Sequence, residues 1–561
     1  MSPRRTAALC AALLCAAALW IPRDAMVAAQ AATAVSYASP LELTPSPDGA
    51  RLYVLCQDAG EVRVLNARDG REIEAIRVGR QPRGLWLSAD GRRLLVTNSW
   101  DDTVSVIDTR AGTVTATWNA GFEPSSVVEH RGLVFIADRI GNDVTVLDAA
   151  TGEERATLAA GRGVSYMALS ADGRRIYATH IYPNSGRYRT APESEITVID
   201  AERARVVERM PLPEIAGVFH VALSRDGRLG VAAELHPKNL VPLAHVEHGW
   251  GVVNTLTVFG TDLGGKPGRS VEVPLDELDR YFALPFGVAI APDKSRIYVT
   301  HGGSDSVTVI DTKRMLAYIH AHVEPFAEDL SASGHYVAAR IVVGKNPRGV
   351  ALSADGARLY VANRLDDTVS VIDTRTERVT QTYRLRGPEK VSALRKGEQT
   401  FYTAQYAFQG QFGCSSCHID STFDGLQWDL EPDGFGKDIV DNRLLEDLRG
   451  TEPFKWNGGN PSIAVECGPR TEKYFWRSQT YDDLTLADLA LYIRHLPQRP
   501  NRFRAVDGRL TPAQERGRAI FFRTADKLGQ PIAEGNRCST CHGGAKGTSG
   551  KSFEVGTRKA S

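Results

Sequence analysis

The stretch from Ser88 to Trp118 reads SADGRRLLVTNSWDDTVSVIDTRAGTVTATW, and its plan returns from Ser353 as SADGARLYVANRLDDTVSVIDTRTERVTQTY and from Ala291 as APDKSRIYVTHGGSDSVTVIDTKRMLAYI. Weaker copies begin near Ser46, His130, Ser170 and Ser224, which makes seven in all. Each copy holds an apolar strand ending at an Asp-Gly turn or its equivalent, a β-branched strand of the LYVTN type, a polar turn, a VSVID strand and a last Thr/Val-rich strand. Four short strands recurring at a spacing of about forty residues predict propeller blades, because one blade cannot bury both of its faces and a ring supplies the neighbours. The fold class expected is therefore multidomain: an all-β seven-bladed propeller, followed by mainly α modules once the rhythm stops after Tyr383.

The repeat resembles the YVTN family of β-propeller repeats over residues 36–386. That resemblance implies the fold and leaves function open, since such scaffolds host many unrelated activities. Departures from the repeat carry more. The second strand ends in Asn98 and Asn363 in the cleanest copies, but in His180 and His301 in copies four and six, with Glu234 and His236 in copy five, Cys56 in copy one and Asp138 in copy three. Equivalent positions lie in a ring on one face, so His180, Glu234, His236 and His301 are candidates to converge on a metal. The alternative is that they replace Asn as hydrogen-bonding side chains. Insertions at 181–193, 236–253 and 318–339 read as clamps for a neighbouring domain, with His245 and His248 as contacts.

Lys+Arg and Asp+Glu both number 67 in 561 residues, so no net charge draws the chain to nucleic acid. Arg4 and Arg5, an apolar run from Ala7 to Ile21 and the small residues Ala29-Gln30-Ala31 read as a signal peptide over 1–31. The run is too short to argue for a membrane span, and no other segment is apolar enough for one. The mature protein is expected to be exported, with the periplasm as its compartment. Of eight cysteines, two leave with the signal, four belong to a repeated motif, and only Cys56 and Cys467 remain.

That motif is FGCSSCHID from Phe412, returning as RCSTCHGG from Arg537. Before each stands a matching segment, KGEQTFYTA from Lys396 and RGRAIFFRTA from Arg516. Two modules follow the propeller: after a linker at 387–394, residues 395–500 and residues 508–561. Cys-x-x-Cys-His is the attachment sequence of c-type haem, in which two thiols add to the porphyrin vinyl groups and the histidine ligates iron. Cys414, Cys417 and His418 would hold one haem and Cys538, Cys541 and His542 the other. A redox dithiol would normally follow a βαβ pattern, and a zinc site would need ligands from both modules at once.

Residues 395–561 resemble the dihaem cytochrome c peroxidase family in FGCSSCHIDSTFDGLQWDL, LRGTEPFKWNGGNPS, LADLALYIRHLP and LTPAQERGRAIFF. Within the third of these, Leu486, Leu489, Ile493 and Leu496 stripe one helical face that Pro497 ends. The last methionine is Met315, so neither module supplies a methionine to its iron; His495 is the candidate distal ligand, with His245, His248 or His335 of the propeller as lenders. Trp456 is the candidate charge relay that the resemblance implies, with Trp476 behind it. Only nineteen residues follow His542, which reads as a truncated second module. The resemblance implies a peroxidase-like oxidoreductase passing electrons between two covalent haems, with a redox partner protein and hydrogen peroxide. The alternatives are a dihaem electron carrier docked through its propeller to a dehydrogenase, and a surface binding propeller with accessory haems.

Overall fold

The computed structural model describes residues 36–242, 251–264, 270–322, 324–429, 439–455, 458–476, 478–501, 503, 509–544 and 546–551. Its organising unit is the Ser-x-Asp-Gly turn of the repeat. Ser88 Oγ donates to Asp90 at 2.6 Å, Asp90 accepts from the Arg92 amide, and Gly91 takes a φ of 70°, a left-handed conformation that costs glycine nothing. The chain reverses there and the Arg93–Asn98 strand runs back beside Pro82–Leu87, with Thr103–Asp108 and Thr113–Asn119 following in antiparallel order.

Seven four-stranded antiparallel sheets of this kind form between Pro40 and Arg384. In each, the two middle strands are mostly buried and the last is less so, as in EVRVLN against EIEAIR of the first blade. A bulge between third and fourth strands recurs at Val64/Leu65, Val106/Ile107, Val146/Leu147, Val198/Ile199, Val309/Ile310 and Val371/Ile372. Bulges sharpen the right-handed twist, which lets flat blades splay into a ring. The ring closes without exchange of a strand. Tyr383 and Tyr360 of the last blade both donate to the Ala67 carbonyl of the first, at 3.0 and 3.3 Å, and a side chain at Gly70 would run into the Tyr383 ring at 2.1 Å.

Of the three insertions, the first two hold the C-terminal region. Tyr182 stacks on Phe423 with ring centroids 5.0 Å apart, Asn239 donates to the Gln427 carbonyl at 2.7 Å, and the Gly251 amide donates to Gln411 at 3.0 Å. The third behaves otherwise. It folds into helices at Thr312–Ala321 and Ser333–Tyr336 that pack on blades five and six, where Tyr336 donates to the Pro274 carbonyl and His335 stacks on Tyr318. Its apolar residues Met315, Ile319 and Tyr336 find their partners inside the propeller, which is why it does not clamp. His245 and His248 lie outside the described residues, as does the signal segment 1–31.

Beyond the ring, the Ala393–Tyr402 helix crosses the Asp483–Arg494 helix so closely that a Cβ on Gly397 would lie 2.0 Å from the Asp488 carbonyl oxygen. Leu489 and Ile493 of the striped helix and Phe401 and Tyr402 of the other bury into one apolar cluster with Ile181, Phe219 and Leu284 of the propeller. This part of the chain is seated on the ring. No helix among the described residues is long and apolar enough to cross a membrane.

Candidate functional site

The first Cys-x-x-Cys-His motif sits at that seam. Cys414–Cys417 is a single helical turn whose thiols, three residues apart, border the apolar cluster of Phe412, Trp476 and Tyr481. Burial pushes the Cys414 thiol up to about 12 and raises Cys417 well above its usual range, so neither is a thiolate of the kind that defines a redox dithiol. Asn442 donates to the Cys417 carbonyl and to Asp424, and Asp424 also accepts from Trp428 Nε1 at 2.7 Å. The loop after the turn is thereby held from behind.

His418 donates Nδ1–H to the Thr422 carbonyl at 3.1 Å, while burial lowers its pKa and keeps the ring neutral. Such a bond orients the ring, as in histidines that ligate metals, and the Arg443 backbone lies within hydrogen-bonding reach of the imidazole as well. His542 of the second motif does the same with the Gly547 carbonyl, also at 3.1 Å. Two apolar-facing thiols on one turn followed by a neutral, oriented imidazole suit covalent haem in their donor chemistry.

Two residues beyond His418 comes a feature that the motif did not announce. Asp420 adopts a φ of 48° and points its carboxylate onto the propeller axis. There Arg83 and Arg139 each donate to it at 2.9 Å, and Arg348 approaches to 3.5 Å. These arginines come from blades two, three and seven: Arg83 and Arg348 from innermost strands, Arg139 from just past the Leu133–Asp138 strand. Burial alone would raise the Asp420 pKa, but the guanidinium groups, with Arg364 beside them, hold it well below the usual carboxylate range.

Further pairs flank this one. Arg499 donates to both oxygens of Glu123, at 2.7 and 3.0 Å, and to Glu446. Glu398 of the first helix receives Arg364 from blade seven at 2.6 Å and Arg395 at 3.0 Å. Arginines in the phrases QPRG, DRIG and NPRG were the available signal for the axial cluster. Their convergence depends on which strand lies innermost, which a single repeat does not show.

The proposed ring of metal ligands does not assemble. His301 uses both ring nitrogens, Nδ1 with the Phe282 carbonyl and Nε2 with Thr308 Oγ1 at 2.7 Å; His180 Nε2 meets Thr197 Oγ1 at 2.9 Å. Asn98 and Asn363 make the same cross-strand link to Ser105 and Ser370, and Glu234 accepts from Thr257. His236 instead pairs with Glu272 at 2.8 Å. These side chains tie the second strand of a blade to the third or fourth, and among the described residues no group of three or more His, Cys, Asp or Glu is placed to hold a metal ion.

His495 caps the Asp483–Arg494 helix, donating Nδ1–H to the Leu491 carbonyl at 2.8 Å. Trp456 lies outside the described residues. Trp476 is buried against Phe412, with ring centroids 5.6 Å apart. Cys538 is exposed and Cys541 half-buried on the short Cys538–His542 helix.

No family model matches the chain. Among curated proteins it is similar to hydrazine synthase subunit beta of Kuenenia stuttgartiensis, 29% identical over 42% of this chain and 59% of that one. It is also similar to hydrazine synthase subunit gamma of the same organism, 33% identical over 28% of this chain and 44% of that one. The chain thus spans less than two thirds of either subunit. The seven-bladed beta-propeller protein Rv1057 of Mycobacterium tuberculosis is 25% identical over 58% of this chain and 79% of its own length. Among solved structures, Kuenenia stuttgartiensis hydrazine synthase superposes with a TM-score of 0.56 and 27% identity, covering 60% of this chain and 96% of the matched one. The class is a seven-bladed β-propeller protein.

These likenesses correct the functional expectation. The relatives are hydrazine synthase subunits and a propeller protein, not peroxidases, so the peroxidase-like oxidoreductase is overturned together with its alternatives, the docked electron carrier and the binding propeller with accessory haems. The physical reason is that Cys-x-x-Cys-His specifies how a haem is attached. The reaction depends on what surrounds it.

Proposed function

We propose that this chain is a haem-bearing subunit of an enzyme of the hydrazine synthase kind, one that forms hydrazine. The observation that carries the reading is the meeting in one chain of likenesses to a beta and a gamma subunit of hydrazine synthase. Residues 395–500 and 508–561 are its two c-type haem modules, and the propeller is the platform beneath the first. The bound haem supplies redox chemistry at iron.

Each residue has a defined part in that arrangement. Cys414 and Cys417 present thiols from one turn for thioether attachment, and His418 offers a neutral imidazole oriented by the Thr422 carbonyl. Asp420 fixes the loop through Arg83 and Arg139, so that the imidazole cannot swing with solvent. Phe412, Trp476 and Tyr481 exclude water from the thiol side. Cys538, Cys541 and His542 hold the second haem. The chain is exported after removal of residues 1–31 and works in the periplasm, assembled with other subunits that deliver electrons.

The test has two stages. Intact mass and the alkaline pyridine haemochrome spectrum of the full chain, matured with a c-type haem attachment system, should count two covalent haems, falling to one in Cys414→Ser/Cys417→Ser. A chain carrying none contradicts the cofactor assignment. Formation of 15N-labelled hydrazine from labelled inorganic nitrogen compounds and a reductant by the purified assembly supports the activity; an assembly inert toward them overturns it.

A further inference from the structure

Directly under Asp420, on the propeller axis, lies a cavity of about 30 Å³ lined in part by Glu42, Ser125, Tyr166, Phe219 and Phe286 of the innermost strands and closed by Arg139. That is space for one or two water-sized guests. Its lining is unusual in two respects.

The first is Arg139, whose side chain is 2% exposed. Nη1 serves Asp420, while Nε and Nη2 have no hydrogen-bond partner. Leaving two donors of a buried cation unsatisfied carries the full desolvation penalty of each, so native proteins rarely tolerate it without a guest. The second is the charge count. Three guanidinium groups, of Arg83, Arg139 and Arg348, converge on the Asp420 carboxylate, and the nearby Glu123, 3.8 Å from Arg139 Nη1, is held through both of its oxygens by Arg499 Nη1.

Glu42 does not cancel the surplus. It makes no hydrogen bond or ion pair among the described residues, and burial pushes its pKa up to about 8, so at neutral pH it is an uncharged acid with a proton to donate. Although packed deep in the ring, it keeps some accessible surface because it faces the cavity. Burial also pulls the Arg348 guanidinium below its usual range, whereas Arg139, beside Asp420 and Glu123, is raised above its own.

We infer that the axial cavity is a binding site for one small monovalent anion, of halide or nitrite size, accepting from the free Nε and Nη2 of Arg139 and neutralising the cluster that grips Asp420. The guest is an anion rather than a metal or an amine, since the unpartnered Nε and Nη2 of Arg139 can only donate and Glu42 holds its proton.

Bromide is the probe. The full chain, purified in halide-free buffer, is titrated calorimetrically with sodium bromide, and crystals soaked in bromide are measured at the bromine absorption edge. The expected result is one saturable site with an anomalous peak within hydrogen-bonding distance of Arg139 Nε or Nη2, displaced by nitrite. Arg139→Lys, which keeps the charge but loses the fork, should weaken binding at least tenfold. Should that variant fail to fold, the wild-type crystal still decides. An axial cavity without an anomalous peak, or a folded Arg139→Lys chain that binds bromide unchanged, overturns the assignment.

Discussion

The two Cys-x-x-Cys-His modules follow one sequence plan and meet opposite fates. In the first, Gly397 lets two helices touch, Phe401 and Tyr402 are buried, and the motif loop is pinned by Asp420 to three blades. In the second, the corresponding Gly517 has nothing within 4 Å of where its Cβ would stand, Phe522 is 59% exposed, and the Pro512–Phe521 helix buries no residue. Matching local sequence gives matching local structure, down to the Nδ1 bond of each histidine. What differs is the surface each module has to lean on, so packing and charge here come from the propeller and not from the module.

That contrast can be broken at its strongest point. Asp420→Ala takes the shared carboxylate from the buried Arg139 and Arg348 and the half-buried Arg83, and breaking a buried pair in this way should cost about 3–5 kcal/mol, visible as a large drop in midpoint denaturant concentration. The matching change in the second module, Lys546→Ala, removes an exposed pair with Asp447 and should cost about 0–1 kcal/mol. Equal effects would deny the propeller its anchoring role. Next in size, Gly397→Ala drives a methyl group into the Asp488 carbonyl and should destabilise by about 1–3 kcal/mol, whereas Gly517→Ala, in an exposed helix interior, should stabilise by about 0.5–1 kcal/mol. Opposite signs from the same substitution sharpen the comparison; a shared sign defeats it.

Glu42 gives the third test. Its folded pKa lies above its unfolded value, so the folded state holds the proton longer and stability is lost as pH rises from about 4.5 through about 8. Glu42→Gln removes that slope. The variant should match wild type near pH 4.5 and exceed it above pH 8 by on the order of 1–2 kcal/mol, less than the full linkage because the carboxyl keeps access to cavity water. A difference that is flat with pH would show that Glu42 does not titrate in this window. Smallest of all, His301→Asn restores the residue of the cleanest repeats and should change stability by no more than about 1 kcal/mol, since Asn bridges the same strands in blades two and seven.

The ring was legible in the sequence because a propeller is written locally: the Ser-x-Asp-Gly turns, the β-branched middle strands and the less buried fourth strands each follow from residues within one copy. The cross-strand role of His180 and His301 was also within reach, as substitutes for Asn98 and Asn363. The docking of the first module was not. Asp420 looks like an ordinary loop aspartate, and Arg83, Arg139 and Arg348 lie far from it in sequence, so only the closed ring makes them neighbours. Clamping by the 181–193 and 236–253 insertions was foreseeable from their length, but the 318–339 insertion, longer than either, carries enough apolar residues to fold onto its own blades. The reaction class was illegible for a different reason. The attachment motif is shared by many haem proteins, whereas the substrate is chosen by the shape of the pocket.

Hydrogen–deuterium exchange on the full chain, read peptide by peptide, tests the central claim most directly. Local protection follows burial and tertiary contact, so residues 393–429 and 483–496 should exchange as slowly as the inner strands of blades two, three and seven. Residues 512–542 should exchange far faster, and Asp420→Ala should release the first group without touching the propeller strands. Equal protection of the two modules, or a first module that exchanges fast in the wild-type chain, would contradict the account.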